Sequence, residues 1–321
     1  MTHGHGWSRR RFVVAATLAA SAAVAPWRAA CATPRWTWRG VAMGARASLV
    51  VEHPERAVAR SVVERCVDEI RRLERVFSLF DPSSALSRLN RHRVLDQPPP
   101  ELVEVLALAR RVGDASDGAF DVSVQPLWTL YQRHFSRADA DPRGPTASAV
   151  EATLAHVGYR DIESDTDRVR LGGALRAITL NGIAQGFVTD RVVRVMSEHG
   201  LDRVLVDAGE VRAGSGGWRV GVKGASGIEQ VIALDRPRAV ATSAPTGFVF
   251  EPSGRHHHLL DPLRGASANR YASVTVQAPT AALADALSTA CASLARERIA
   301  ALARAFDDVE VLLVDGPVRR I

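Results

Sequence analysis

The segment Thr280-Ala-Ala-Leu-Ala-Asp285-Ala-Leu-Ser288-Thr289-Ala-Cys291 holds one carboxylate in a run of small apolar residues, with hydroxyls three and four positions further on. On a helix those offsets put Asp285, Ser288 and Thr289 on one face. A buried anion among alanines is unfavourable unless a cation offsets it. Oxygen-only ligands suit a hard ion such as Mg2+, which leans on one or two carboxylates plus substrate phosphates. The competing account is an acid favoured by the positive end of the helix dipole. With Thr280 as N-cap, though, Asp285 is the fifth helical residue, where that effect has faded. On this segment alone the two accounts stand level.

Three further segments carry chemistry. In His256-His257-His258-Leu259-Leu260-Asp261-Pro262, an extended chain turns alternate residues to opposite sides, so three adjacent histidines cannot share one metal. At most His256 and His258 share a face, and each also reads as a plain exposed polar residue. Asp261 reads as the cap of the turn that follows. Asn181-Gly182-Ile183-Ala184-Gln185-Gly186 opens a helix after a strand, where glycine lets backbone approach a ligand and free N–H groups favour phosphate. Many strand–helix turns hold glycine without a ligand. Asp117-Gly118-Ala119-Phe120-Asp121-Val122-Ser123-Val124 sets two acids around a small-residue turn, and a loop with a capping Asp explains it equally. Glycine-rich nucleotide loops, Cys-x-x-Cys, His-Glu-x-x-His and Gly-x-Ser-x-Gly are all missing, which lowers the Rossmann, zinc and serine-hydrolase readings.

Elements that could position these groups follow from periodicity. Trp36 to Glu52 reads as a hairpin broken at Met43-Gly44, and Val58, Val62, Val63, Cys66, Ile70, Leu73 and Phe77 recur at helical steps over about six turns. Asp81-Pro82-Ser83-Ser84 caps a short helix from Ala85 to Asn90, and Pro98-Pro99-Pro100 leads another from Glu101 to Ala115. Asp139 to Pro145 is a loop or internal boundary. Helices are expected at Ala147–Val157, Ile183–His199 and from Thr280, with strands near Val169, Ile178, Val204–Val206, Trp218–Val222, Val231–Leu234, Val240–Thr242, Ser273–Gln277 and Val309–Val314. Helices and strands mix without regular alternation, so the fold class is α+β, mixed sheets with packed helices, in a single domain over residues 33–321.

Residues 1–32 read as an address. Ser8-Arg9-Arg10-Arg11-Phe12 precedes an apolar run to Ala25, too short to cross a hydrocarbon core, and Ala30-Cys31-Ala32 ends it. This is a twin-arginine export signal, placing the mature protein in the periplasm. Lipidation at Cys31 is the alternative that would bring membrane contact, but Arg28 stands where such a site wants Leu. Cleavage leaves Cys66 and Cys291, both in apolar helical stretches and so two buried thiols rather than a bridge. The formal charge of +6 falls mostly in this segment: without its four arginines, 37 basic residues face 35 acidic ones. A near-balanced body gives no ground for a nucleic-acid partner.

Taken in order, Met43-Gly44-Ala45, Phe77 to Asn90, Gly118 to Asp121, Asn181 to Gly186 with Asp190, Val206 to Gly209, Ala241-Thr242-Ser243, His258 to Pro262 and Ala284-Asp285 to Thr289 resemble the ApbE-type flavin transferases (FAD:protein FMN transferases). The resemblance implies a T-fold-like α+β architecture with an FAD cleft, and Mg2+-dependent transfer of FMN from FAD to a Thr or Ser hydroxyl of an exported flavoprotein, with AMP released. It implies Asp285 and Thr289 as side-chain metal ligands, Ser288 as their neighbour in the metal group, and the Gly182 carbonyl as a main-chain ligand. Phe80 would lie against the isoalloxazine ring; Met43, Ala119, Phe120, Asp121 and the backbone of Leu259 would line the FAD site. His258 would take the proton of the acceptor hydroxyl. The acceptor would belong to a periplasmic or membrane redox complex. Gln185 replaces the family's usual Lys, Thr179 its usual Asp, Ala244 a glycine and Glu210 the second glycine of a pair; hydrogen bonds from Gln185 and Thr179 would then replace charges around the adenosine part of FAD. A Mg2+-dependent FAD pyrophosphatase and a non-catalytic FAD-binding protein are the alternatives.

Overall fold

A computed structural model of the chain describes residues 33–174, 177–224, 227–314 and 319–320; the expected export signal, Cys31 included, lies outside them. Strand β1 (Arg35–Ala42) turns straight back into β2 (Ala45–Glu52). Met43 and Gly44 between them have φ of +50° and +77°, the left-handed pair that lets a two-residue turn follow the twist of its strands. For Met43 that conformation is strained, and its N–H is anchored on Glu74 Oε1 at 2.8 Å.

Helix α1 (Arg56–Phe77) buries the stripe from Val62 to Phe77 that its periodicity predicts. A short α2 (Ala85–His92) follows, with Ser84 Oγ accepting from the Ser87 N–H at 3.0 Å as N-cap. Then come β3 (Val94–Asp96), α3 (Pro100–Ala115), α4 (Gln125–Phe135) and α5 (Ala147–Leu154). Strands β4 (Ile162–Ser164) and β5 (Arg168–Leu171) join β3 in a small sheet of order β3-β5-β4. The rest of the described chain is α6 (Ala184–Glu198), β6 (Val204–Asp207), β7 (Val211–Ala213), the hairpin β8 (Trp218–Gly224) and β9 (Gly227–Leu234), β10 (Arg238–Ser243), β11 (Ser273–Ala278), α7 (Ala281–Cys291), α8 (Arg296–Arg304), β12 (Glu310–Val314) and β13 (Arg319–Arg320).

The main sheet runs β1-β2-β6-β7-β10-β11-β12-β13, with every pair antiparallel. Both its faces are covered, and period-2 alternation shows how. Val204, Val206, Ala239 and Ala241 point into the core shared with α1, α3, α6 and α7. Leu205 and Val240 between them point into a second core closed by Trp218, Val220, Ile232 and Leu234 of the β8–β9 hairpin. The fold is α+β. Cys66 and Cys291 are free and buried, and burial pushes each thiol up to about 12, so both pack as small apolar groups. Among the described residues no helix is long and apolar enough to cross a membrane.

Two features differ from expectation. Ile178 lies outside any strand: the Asn90 side chain takes the place of a neighbouring strand, donating to the Ile178 carbonyl and accepting from its N–H, both at 2.8 Å. Helix α4 was not anticipated; Pro126 sits in its first turn, where no N–H is required, and Leu127 and Tyr131, one turn apart, pack against Phe250.

The closest approach of two helices is between α6 and α7. A Cβ at Gly186 would stand 2.3 Å from the Ala281 carbonyl oxygen and 2.7 Å from the Ala282 Cα, backbone atoms that cannot swing aside. Gly186→Ala is therefore expected to destabilise the fold by about 2–3 kcal/mol, the range of overpacked cores, read as a lower midpoint in denaturant melts.

Candidate active site

The approach of α6 to α7 builds the site turn by turn, the two running antiparallel. Asp190, deepest on α6, accepts from the N–H groups of Ala281 (2.8 Å) and Ala282 (2.9 Å). One turn nearer the start of α6, the Gly186 N–H donates to Asp285 Oδ2 at 3.2 Å. In the loop before α6, Gly182 lies bare against Thr289: a Cβ there would be 2.8 Å from Thr289 Oγ1. The structure thus brings Gly182 and Thr289 into contact and places Asp285 on the start of α6. Ser288 stands beside them on α7. It donates to the Asp285 carbonyl (3.0 Å) and shares a hydrogen bond with Ser243 Oγ (2.8 Å), so its hydroxyl is taken up by the protein and it packs behind the ligand face.

Asp285 is buried, 4% exposed. Burial pushes its pKa up to about 7; the Asp190 charge adds to that and the Gly186 N–H opposes it. Two further buried acids flank the β6–β7 turn, and Glu210 of the pair is close enough for its charge and that of Asp285 to repel. Burial pushes Asp207, at the end of β6, up to about 6 against the pull of the Gly209 N–H. Glu210 is raised well above the usual carboxylate range, by burial first and then by the charges of Asp285 and Asp207. Among the described residues no basic side chain opposes the shift at any of the three. Only Glu210 and its glycine-replacing position were visible beforehand; the grouping is a product of tertiary packing.

A buried carboxyl that gives up its proton readily only when a cation replaces it, facing a hydroxyl and a glycine backbone, fits a hard cation. Among the described residues no three His, Cys, Asp or Glu side chains are grouped so as to hold a metal by themselves. A cation held here would find one carboxylate (Asp285), one hydroxyl (Thr289) and one carbonyl (Gly182), leaving coordination positions for water and phosphate oxygens. A pH dependence follows. Asp207 and Asp285 have folded pKa values raised above the unfolded one, so their contribution to stability is full at low pH and lost as pH rises through about 6 to 7. Metal-free protein is therefore expected to melt lower at pH 8 than at pH 5.5, measurable by thermal denaturation.

His258 lies on a second element. Residues 248–250 pair with 256–258: Phe250 N–H donates to the His256 carbonyl (2.8 Å) and His258 N–H to the Phe248 carbonyl (3.1 Å). The three histidines diverge, as alternation requires. The His256 ring packs on Tyr131 and Phe135. His257 is fully buried with Nε2 3.1 Å from Asn269 Oδ1. His258 Nδ1 lies 3.0 Å from the same Phe248 carbonyl. A carbonyl can only accept, so Nδ1 carries the proton and Nε2 keeps its lone pair. Burial pushes the His258 pKa down to about 4, holding the ring neutral at pH 7.

The remaining predicted residues sit on loops tied to these elements. Phe80 is 76% exposed, on a turn held by Ser78 Oγ, which accepts from the N–H groups of Phe80 and Asp81 at 3.1 Å. A solvent-exposed aromatic side chain on a pinned turn is suited to stacking. Ala119 and Phe120 are buried, the latter in the main core. Asp121 caps the one-turn helix Val122–Val124: its Oδ1 accepts from the N–H and Oγ of Ser123 and its Oδ2 from the Tyr159 N–H, which leaves this stretch to meet a ligand through its backbone. The Thr179 N–H donates to the Val122 carbonyl at 2.7 Å, joining that loop to the one carrying Gly182. Leu263, 63% exposed, packs on Gly118 and brings the turn after Leu259 beside it; the Leu259 carbonyl itself accepts from the Ala268 N–H. Gln185 packs flat on Gly209, whose φ of +112° and missing side chain make the room. Among the described residues no hydrogen bond joins Gln185 to Thr179, whose Oγ1 accepts from the Asn181 N–H.

Comparison with known proteins covers all these elements. The ApbE family profile matches residues 43–313. The FAD:protein FMN transferase of Treponema pallidum is 30% identical over 289 residues, 80% of this chain and 78% of that one. The ApbE protein of Thermotoga maritima is similar at 29% identity with a TM-score of 0.77, over 89% of this chain and 97% of that one. The Pseudomonas stutzeri flavinyl transferase ApbE in its apo form shares the fold at 24% identity, with a TM-score of 0.74 over 89% and 94%. A match that runs unbroken from the strained Met43 turn through the Gly182 loop and α7 leaves one assignment: the chain belongs to the ApbE family.

Proposed function

We propose that this protein is an FAD:protein FMN transferase, one that moves FMN from FAD onto a Thr or Ser hydroxyl of an exported flavoprotein with Mg2+ bound at Gly182, Asp285 and Thr289. The observation that carries the reading is the bare contact of Gly182 with Thr289, one helical turn from a buried carboxylate that no basic side chain neutralises. Mg2+ there supplies charge neutralisation on the phosphoryl oxygens of the pyrophosphate.

The chain's own residues supply the rest. Phe80 offers an exposed face for the isoalloxazine ring, and the 119–121 and 258–259 backbone walls the flavin side. His258 Nε2 takes the proton of the acceptor hydroxyl as its oxygen bonds to the phosphorus of the FMN half. The pyrophosphate P–O bond breaks in the same step and AMP leaves with the electron pair, an in-line displacement governed by positioning. The twin-arginine segment at 1–32 fits a periplasmic acceptor in a membrane or soluble redox complex.

Incubation of the purified protein with FAD, Mg2+ and a peptide bearing the acceptor threonine tests this. A covalently fluorescent peptide with stoichiometric AMP is expected. Free FMN with AMP would make it a pyrophosphatase, and unchanged FAD would overturn the catalytic reading.

A further inference from the structure

Asp190 is a buried carboxylate beside the site to which the transfer chemistry assigns no role. It stands two helical turns beyond Gly182; among the described residues no hydrogen bond joins it to Asp285, Thr289 or Gly182, and yet it holds the helix that carries the first two. Its Oδ1 accepts from the Ala281 N–H and its Oδ2 from the Ala282 N–H. Thr280 completes the end: its Oγ1 accepts from the Leu283 N–H and its carbonyl from the Ala284 N–H. All four N–H groups of the first turn of α7 are therefore satisfied, two of them by a side chain from another helix.

That arrangement has geometric consequences. A carboxylate accepting one N–H on each oxygen fixes both the height and the rotation of α7 relative to α6, since sliding or turning α7 breaks one bond or the other. Gly186 removes any side chain that could hold the helices apart. Rotation of α7 is the variable that decides whether Asp285 meets the Gly186 N–H and Thr289 meets Gly182. Arg212 of β7 forms an ion pair with Asp190 Oδ1, and both residues line a cleft of about 910 Å3 with Phe187, Arg194 and Thr280. The Arg212 Nε is buried without a partner, so its attachment is through the terminal nitrogen on Asp190.

We propose that Asp190 is a positioning residue for cation binding: it sets the register of α7 against α6, with Arg212 holding its carboxylate in place. This rests on the reading of α7 as the metal helix. Asparagine has a single acceptor oxygen, so Asp190→Asn must leave one of the two N–H groups unmatched and set the NH2 group against it; α7 then loses its fixed rotation.

The test uses Mn2+ as the probe, with the full-length protein and no FAD, the free ion being followed by electron paramagnetic resonance while thermal melts of the same samples report folding. Asp190→Asn is expected to weaken Mn2+ binding 10- to 100-fold, the range for residues that orient metal ligands from behind, and Asp190→Glu to recover part of that loss. A role confined to stability would lower the melting temperature and leave the Mn2+ affinity of the folded protein unchanged; that result overturns the proposal. Should Asp190→Asn fail to fold, Arg212→Lys and Arg212→Gln leave both N–H bonds in place and are expected to weaken Mn2+ binding in that order. Wild-type affinity in both would overturn it equally. Failure of the underlying reading looks different: wild-type protein that binds no Mn2+, or Asp285→Ala that binds it as tightly as wild type.

Discussion

Asp285→Ala is expected to lower FMN transfer at least ~10^3-fold while leaving the protein folded, the loss expected when a main charge-stabilising group is removed from a water-excluded site. The magnitude follows from the proposed donor set: Thr289 and Gly182 offer neutral oxygens, so Asp285 would be the charged ligand. Stability should move the opposite way to activity. In metal-free wild type at pH 8 the ionised Asp285 is buried and repelled by Asp190. Alanine removes both effects, at the cost of the acceptor for the Gly186 N–H, about 1 kcal/mol. Metal-free Asp285→Ala is therefore expected to melt no lower than metal-free wild type at pH 8, and Mg2+ should no longer raise its Tm. Single-turnover transfer and paired melts with and without Mg2+ report both halves. A variant that transfers FMN at the wild-type rate, or still responds fully to Mg2+, removes Asp285 from the cation site.

The difference between what could be read in advance and what could not lies in the range of the interactions. Asp285 and Thr289 share a helix face by an i, i+4 rule that any sequence displays. The same rule puts Ser288 beside them, while its hydrogen bond to Ser243, forty-five residues earlier, has no local signal. The stripe from Val62 to Phe77 forms its own helix from local periodicity, whereas Ile178 was apolar enough for a strand and found its partner in the Asn90 side chain, an interaction without sequence period. Helix α4 escaped because Gln125-Pro126 reads as a break unless the proline is known to fall in the first turn. Most instructive is the acid group at Asp285. Nothing in the segments 204–213 and 280–291 taken apart indicates that Asp207 and Glu210 will share a site with it; the β6–β7 turn and the α6–α7 contact must both be in place. Function was legible chiefly because eight short motifs in order carry more information than any of them singly, and the physical reason for each came only with the packing.

His258→Ala is expected to lower kcat by about 10^2- to 10^4-fold, the usual contribution of a positioned general base, with Mg2+ and FAD affinity little changed because neither the α7 donors nor Phe80 depends on the ring. The Phe248 carbonyl is the reason the ring can serve: it accepts from Nδ1–H at 3.0 Å and leaves the Nε2 lone pair free, and Phe248 is itself stacked on Trp128 with ring centres 5.9 Å apart. The pH profile separates this base from the metal site. A base is competent when unprotonated, and burial has pushed His258 down to about 4, so the rate should lose His258 only as pH falls toward 4, not at the 6.5 of an exposed imidazole. Asp285, pushed up to about 7, produces a second acid limb through competition of protons with Mg2+. Raising Mg2+ should move that upper limb to lower pH and leave the limb near 4 in place. A single limb near 6.5 that ignores Mg2+, together with wild-type kcat in His258→Ala, would assign the proton to another group and leave His258 as a residue held by Phe248 for the sake of the hairpin alone.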